Sequence, residues 1–450
     1  MLNIVIIGAG EVGYNLAKSL SKNDYEITVI DIDPVKCKRL KENIDAMVIE
    51  GDGGSQRILQ DVGFERVDYL LAMTRVDEVN LVASRMARKI GAKNIICRLR
   101  NTEYQHKDAI ITPEQFGIDF VTYPEKAAKD EIENLVRQSS SSEIQKFKNN
   151  KFTLIGIKLE ASSPLIGRTA KSVELANPFV PHKLVVINRK EKNFIPHENS
   201  RYKKDDIAYF MSKTRDLDKV QQIAGKPAID IKNIMILGAG KIGRMLAKSL
   251  QKDYNIRLIE KNKDKAEWVS IHYPGILILK GSGTDIEFLE SENISEVDCF
   301  IAATENEQTN ILSTMLAKDL GAKQAIVHIL STSYLPAVRR IGVDAIVSKN
   351  ISAVNEVIKN MHSDKTVSIS HFEDIDVEVL ELTVTNNSNI IKKKYTIDQI
   401  PEDIKIGGII RNNKSLILDQ NNHIMPNDEI IVFAKEESLE KAKSLFQQNA

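Results

Sequence analysis

Asp31, Asp52, Thr74 and Arg98 each stand at or just beyond the end of a short apolar run. Polar groups so placed can hold an anion. A carboxylate at residue 31 suits the ribose hydroxyls of an adenine nucleotide and repels a 2′-phosphate, which disfavours NADP. Asp52 lies between Gly51 and Gly53, where it accepts from an adenine or ribose edge or shapes a turn. Thr74 offers hydroxyl and backbone to ribose or phosphate, or opens the next helix. Arg98 and Arg100 carry guanidinium forks that match phosphate oxygens, and Arg98 is the one expected to reach the ligand. What gathers these residues is Gly8-Ala9-Gly10-Glu11-Val12-Gly13, a G-x-G-x-x-G turn.

The elements around that turn give it meaning. Ile4 to Ile7 is dense in β-branched residues and reads as a buried parallel strand, and Val12 to Leu20 has helical spacing. Gly8 allows the tight turn, Gly10 the close approach of a pyrophosphate, and Gly13 the packing of helix on strand. The helix N-terminus then favours an anion. A second strand, Glu26 to Ile30, ends in Asp31, eighteen residues after Gly13. Strands over 46–50, 69–73, 94–98 and 120–122 alternate with helices from Pro34, over 55–62, over 78–90 and over 125–137. That alternation predicts a doubly wound parallel sheet, with ligands beyond the carboxyl ends of its strands.

Residues 138 to 150 read as a polar break. After it, Phe152 to Leu159, Lys183 to Asn188 and Asp206 to Met211 read as strands of a β-rich α+β unit of about 65 residues, with a helix near 169–174. Leu217 to Lys232 reads as a linker. The chain then repeats itself at a displacement of 230 residues: Gly238-Ala239-Gly240-Lys241-Ile242-Gly243 restates the opening turn, and Glu260 takes the part of Asp31. Thr304 answers Thr74, and a second β-rich unit follows from about Ser368. The expected organisation is therefore four units, at 1–137, 150–214, 231–362 and 367–450. Two like modules in one chain can pack about a pseudo-twofold axis. The second site is poorer in charge, because His328 replaces Arg98, Leu330 replaces Arg100 and Ser282 replaces Asp52.

Composition narrows the function classes. Lys+Arg and Asp+Glu both number 62, so no net charge favours nucleic acid or an anionic membrane. Cys37, Cys97 and Cys299 lack C-x-x-C spacing, which argues for a reducing compartment and against structural zinc. The apolar start has no basic flank and breaks at Gly8, and no apolar run is long enough to span a bilayer. A soluble, cytoplasmic protein is expected. The histidines show no H-E-x-x-H pattern, and neither a P-loop nor a nucleophile elbow occurs.

These residues resemble the tandem regulator-of-potassium-conductance (RCK) family. Its N-domains carry G-x-G-x-x-G, then G-D-x-x, then T-x-x-D-E-x-N. The matching stretches are Gly8 to Gly13, Gly51-Asp52-Gly53-Gly54, and Thr74-Arg75-Val76-Asp77-Glu78-Val79-Asn80. The small units resemble TrkA-C domains at Ser163-Pro164-Leu165-Ile166-Gly167 and at the closing strand with Asp206-Ile207. The resemblance covers essentially the whole chain. It implies a cytoplasmic, non-enzymatic regulatory subunit, peripheral at the inner face of the membrane. Such a subunit would bind NAD or NADH, or else ATP/ADP, and gate a Trk-type potassium transporter (TrkH/TrkG type) by changing shape within a homo-oligomeric ring. It also implies binding roles for Gly8, Ala9, Gly10, Glu11, Val12, Asp31, Asp52, Thr74, Arg75 and Arg98, and for their counterparts Gly238, Ala239, Gly240, Lys241, Ile242 and Glu260. Glu307-Gln308 departs from Asp77-Glu78 in the second unit. The alternative is an NAD-dependent oxidoreductase with an unidentified substrate, against which stand the missing substrate domain and general base.

Overall fold

The computed structural model describes residues 2–21, 25–62, 66–106, 108–139, 143–147, 151–190, 192–226, 229–362, 367–372, 375–393, 399–418 and 423–447. Ser140 to Ser142, within the expected polar break, and Pro227, within the expected linker, lie outside the described residues. Six strands form the first sheet: β1 (Leu2–Ile7), β2 (Tyr25–Asp31), β3 (Met47–Glu50), β4 (Tyr69–Ala72), β5 (Asn94–Arg98) and β6 (Phe120–Thr122). All pairings are parallel, in the order β3-β2-β1-β4-β5-β6. The order reverses between β1 and β4, so the turns that follow them, at Gly8 and at Thr74, flank one crevice. Ile4, Val5, Ile6, Leu70 and Leu71 are wholly buried, as expected of strands covered by helices on both faces.

An antiparallel sheet follows, made of β7 (Glu143–Phe147), β8 (Phe152–Lys158), β9 (His182–Arg189), β10 (Lys192–Phe194) and β11 (Ile207–Lys213), in the order β10-β9-β11-β8-β7. The second parallel sheet contains β12 (Asn233–Leu237), β13 (Asn255–Glu260), β14 (Leu277–Lys280), β15 (Cys299–Ala302), β16 (Gln324–Ile329) and β17 (Ala345–Ser348), and its strand order repeats that of the first. Last come β18 (Val367–Phe372), β19 (Ile375–Thr383), β20 (Ile404–Arg411), β21 (Lys414–Leu416) and β22 (Glu429–Ala434), in the order β18-β19-β22-β20-β21. Each antiparallel sheet carries a bidentate clamp. Arg189 donates to Asp206 at 2.7 Å through both Nε and a terminal nitrogen, and Arg411 does the same to Asp428 at 2.8 and 2.7 Å. Both aspartates are buried, so losing either arginine would strand a carboxylate in the core.

Two expectations need correction. The break at 138–150 contains β7, which pairs antiparallel with β8 from Glu143↔Gly156 to Phe147↔Phe152. That strand is held by its backbone ladder, and five residues of mixed polarity give little burial pattern to read. The linker at 217–232 begins with a helix, Leu217–Ile223. Leu217, Val220 and Ala224 have helical spacing and are buried in the core of the first antiparallel sheet.

The halves exchange helices. Helix Pro124–Arg137 follows the first sheet in sequence, yet Ala128, Ile132, Leu135 and Val136 pack with Ile234, Ile236 and Leu246 of the second. Helix Lys349–His362 returns the exchange: Ala353, Val354, Val357, Ile358 and Met361 join Ile4, Ile6 and Leu16 of the first. Each such side chain, fully buried, contributes roughly 1.5–3 kcal/mol for the larger residues. Polar contacts fix the crossing. Tyr69 donates to the Met361 carbonyl at 3.0 Å, Thr122 Oγ1 to Glu356 at 2.6 Å, and Ser352 to Glu131 at 2.6 Å. The antiparallel sheets also pack together, with Phe152, Leu154 and Met211 against Val379, Ile431 and Phe433. A Cβ on Gly408 would stand 2.7 Å from the Phe152 ring, so glycine there admits the ring.

Candidate nucleotide site

Two glycines of the first turn are required by the fold, and the third is not. Gly8 has φ +99°, and a Cβ there would lie 2.9 Å from the Thr74 nitrogen. A Cβ on Gly13 would lie 1.8 Å from the Gly8 carbonyl oxygen. A Cβ on Gly10 would meet nothing within 4 Å. Gly10 has ordinary extended backbone, φ −69°, and caps helix Glu11–Leu20 without a side-chain hydrogen bond. The space beside Gly10, in front of the helix dipole, is open to an anion that needs close backbone approach. The second turn repeats this: Gly238 has φ +104°, a Cβ on Gly243 would sit 1.9 Å from the Gly238 oxygen, and one on Gly240 would meet only the Ala303 oxygen, at 3.8 Å. A dinucleotide or adenosine polyphosphate fits such a cradle.

Asp31 ends β2 beneath this turn. Its Oδ2 accepts from the Ala9 nitrogen at 2.5 Å and its Oδ1 from the Asp33 nitrogen at 2.8 Å. Lys36 stands 3.9 Å away. Two carboxylate oxygens offer about four lone-pair positions, so two N–H donors leave acceptor capacity for ribose hydroxyls. Glu260 copies the arrangement, accepting from Ala239 at 2.9 Å and Asn262 at 2.8 Å. The longer side chain reaches the same donors.

Asp52 is exposed, and its Oδ1 accepts from the Gly54 nitrogen at 2.8 Å, the turn-shaping role. Thr74 is tied locally: its hydroxyl donates to Asn80 Oδ1 at 2.7 Å, its nitrogen to the same oxygen at 3.0 Å, and it accepts from Val76 at 3.2 Å. Asn80 is the hub that sequence reading left without a role. Fully buried, it also donates to the Arg98 carbonyl at 2.8 Å, so one amide joins the ends of β4 and β5. Asn310 does the same for Thr304 and the His328 carbonyl, at 2.9 Å. The signal available was its recurrence at the same offset from both threonines. Asp77 accepts from the nitrogens of Arg100 and Asn101 at 3.0 and 2.8 Å; Glu307 accepts from Leu330 and Ser331 at 2.8 and 2.9 Å. The Asp77-to-Glu307 departure therefore leaves the loop geometry unchanged.

The halves differ in charge at the strand ends. Arg98 is buried, and its Nε lacks a hydrogen-bond partner among the described residues. Burial pulls the guanidinium below its usual range, while Glu125 opposes that shift. Arg75 and Arg100 are exposed and line an open cleft of about 440 Å³ with Asp77, Asn101, Glu125 and Lys241. Lys241 belongs to the second glycine turn, and its ammonium donates to the Arg100 carbonyl. The cleft thus joins the crevice of the first sheet to the turn of the second. At the position matching Arg98, His328 is 1% exposed, and neither ring nitrogen has a partner among the described residues. Burial, and secondarily the Lys349 ammonium, lower its pKa to about 4, so the ring is neutral near pH 7. Cys97 is buried, which pushes its thiol up to about 12, and Cys37 and Cys299 are buried too. No helix among the described residues is long and apolar enough to cross a membrane.

Comparison with known proteins agrees with this fold. The TrkA-N domain model matches residues 4–124 and 234–349. The chain is 33% identical to the Trk system potassium uptake protein TrkA homolog of Archaeoglobus fulgidus, over 99% of this chain and all of that one. It is 27% identical to the Trk system potassium uptake protein TrkA of Vibrio alginolyticus, over 99% of each. Among solved structures, the GsuK channel bound to NAD superposes with a TM-score of 0.59 at 14% identity, covering 99% of this chain and 79% of that one. The GsuK RCK domain gives a TM-score of 0.59 at 13% identity, over 99% and 95%. The likeness to these structures is one of fold.

Proposed function

This chain belongs to the TrkA family, and on that premise we propose that it is a nucleotide-binding regulatory subunit of a Trk-type potassium-uptake system. The observation that carries the reading is the open space at Gly10, between two glycines that the fold itself demands, with the Asp31 carboxylate beneath it. An adenine nucleotide, NAD or NADH or alternatively ATP or ADP, rests its phosphates against the turn from Gly8 to Gly13. Asp31 receives the ribose hydroxyls. Arg98, with a buried nitrogen that has no partner among the described residues, and the exposed Arg75 and Arg100 supply positive charge beyond them. Ligands that differ past the adenosine reach different parts of the cleft, which has walls from both halves. Only such a difference in affinity between two arrangements can bias a conformational equilibrium, typically by about 1–3 kcal/mol. The partner is the membrane subunit of the transporter (TrkH/TrkG type), met at the cytoplasmic face by a ring of these chains. Chemistry on the nucleotide is not part of this role.

The test is nucleotide-dependent potassium flux with the cognate transporter in vesicles. Asp31→Ala should abolish the response while the protein remains folded, at a lower melting temperature because the Ala9 and Asp33 nitrogens lose their acceptor. A wild-type response from the folded variant would reject the proposal.

A further inference from the structure

We propose that Lys349 supplies the positive charge of a second nucleotide site, on the turn Gly238 to Gly243, and that Glu125 from the other half restrains it. The inference rests on the nucleotide reading above and extends it to the half that lacks the strand-end arginine.

Register locates the charge. Arg98 pairs with Thr122 as His328 pairs with Val347, and two residues beyond those partners stand Pro124 and Lys349. The cation that one half carries at the end of its fifth strand is thus carried, in the other, at the start of the helix after the sixth. That helix start is anchored at the ligand edge of the second sheet: Asn350 donates to the Leu330 carbonyl at 2.8 Å, in the loop that follows β16. His328, sealed from solvent and with neither ring nitrogen partnered among the described residues, cannot do the work of a guanidinium. The Lys349 side chain is 26% exposed, so its ammonium can meet a ligand from solution.

Glu125 belongs to the first half by sequence and faces the second site in space. Its Oε1 lies 3.4 Å from Lys349 Nζ. Its Oε2 is buried without a hydrogen-bond partner among the described residues. The same side chain lines the cleft shared with Lys241 of the second turn. One carboxylate therefore stands against two lysines of the second site, with half of its acceptor capacity unused. An incoming diphosphate competes with Glu125 for Lys349. Each half would then set the affinity of the other, because Glu125 also lines one cleft with Arg75 and Arg100 of the first half.

The experiment is calorimetric titration of ADP into the full-length chain. Wild type should bind two ADP per chain, and Gly10→Asp, which fills the first cradle, should bind one. On that background Lys349→Met should weaken the remaining site by about tenfold or more, and Lys349→Arg should hold it within about twofold. Glu125→Gln should tighten it by about threefold or more. Melting temperatures of all variants are recorded, and Lys349→Arg serves if Lys349→Met does not fold: a tenfold loss with arginine present counts against the proposal. Binding by Gly10→Asp that is indifferent to both Lys349 and Glu125 overturns it, as does loss of all binding in Gly10→Asp when wild type binds. Absence of ADP binding by wild type overturns the nucleotide reading as well.

Discussion

The two parallel sheets agree wherever the backbone makes a demand and diverge in the charge they bring to a ligand. Gly8 and Gly238, Gly13 and Gly243, Asn80 and Asn310 hold the same positions and the same contacts. Asp77 and Glu307 differ in length and hold the same pair of backbone donors. By contrast Glu11 faces Lys241 across the repeat, and Arg98 faces His328. A glycine fingerprint is therefore two statements in one. Its first and third glycines report a packed strand, turn and helix. Only the middle one, Gly10 or Gly240, reports room for something outside the protein.

The largest effect should separate those statements. Gly13→Ala and Gly243→Ala force a methyl into a carbonyl oxygen and should each cost about 4 kcal/mol or more in denaturant unfolding. Gly10→Ala should stay within about 0.5 kcal/mol of wild type and still weaken nucleotide binding. A stable Gly13→Ala protein would break the comparison. Next in size, Asn80→Ala and Asn310→Ala each leave buried backbone groups at two strand ends unpaired, for about 2–4 kcal/mol by the same measurement. Unequal losses would mean that the two hubs are not equivalent. Smallest, at about pH 6, is a pH effect confined to the second half. His328 has a folded pKa of about 4, below its unfolded value of about 6.5, so the unfolded chain binds more protons between those values. Stability should fall as pH drops from about 6.5 to 4, and His328→Leu should flatten part of that slope. An identical slope in the variant would show that the imidazole is not held neutral.

Much of this architecture was legible in the sequence because parallel strands covered on both faces must be apolar throughout. The strands over 94–98 and 120–122 were read at their observed limits. The exchange of helices was not legible. The spacing of Ala128, Ile132, Leu135 and Val136 declares an apolar face and is silent about which core receives it. The ion pair of Glu125 and Lys349 spans 224 residues and exists only once the halves meet. Asn80 reads in the sequence only as part of a motif, because its function is to satisfy backbone groups of two separate loops. Asp52 bonds inside its own turn, whereas Thr74 does not open the next helix, whose cap is Val76, and bonds instead to Val76 and Asn80.

The account turns on whether the space at Gly10 is there for a nucleotide. The most direct measurement is equilibrium binding of NADH, followed by nicotinamide fluorescence, to wild type and to Gly10→Asp. Saturable binding by wild type, with the Gly10 site weakened by about tenfold or more in a variant of unchanged melting temperature and only the second site retained, is the predicted result. Equal binding by the two folded proteins, or none by wild type with NADH, NAD, ATP or ADP, would contradict it.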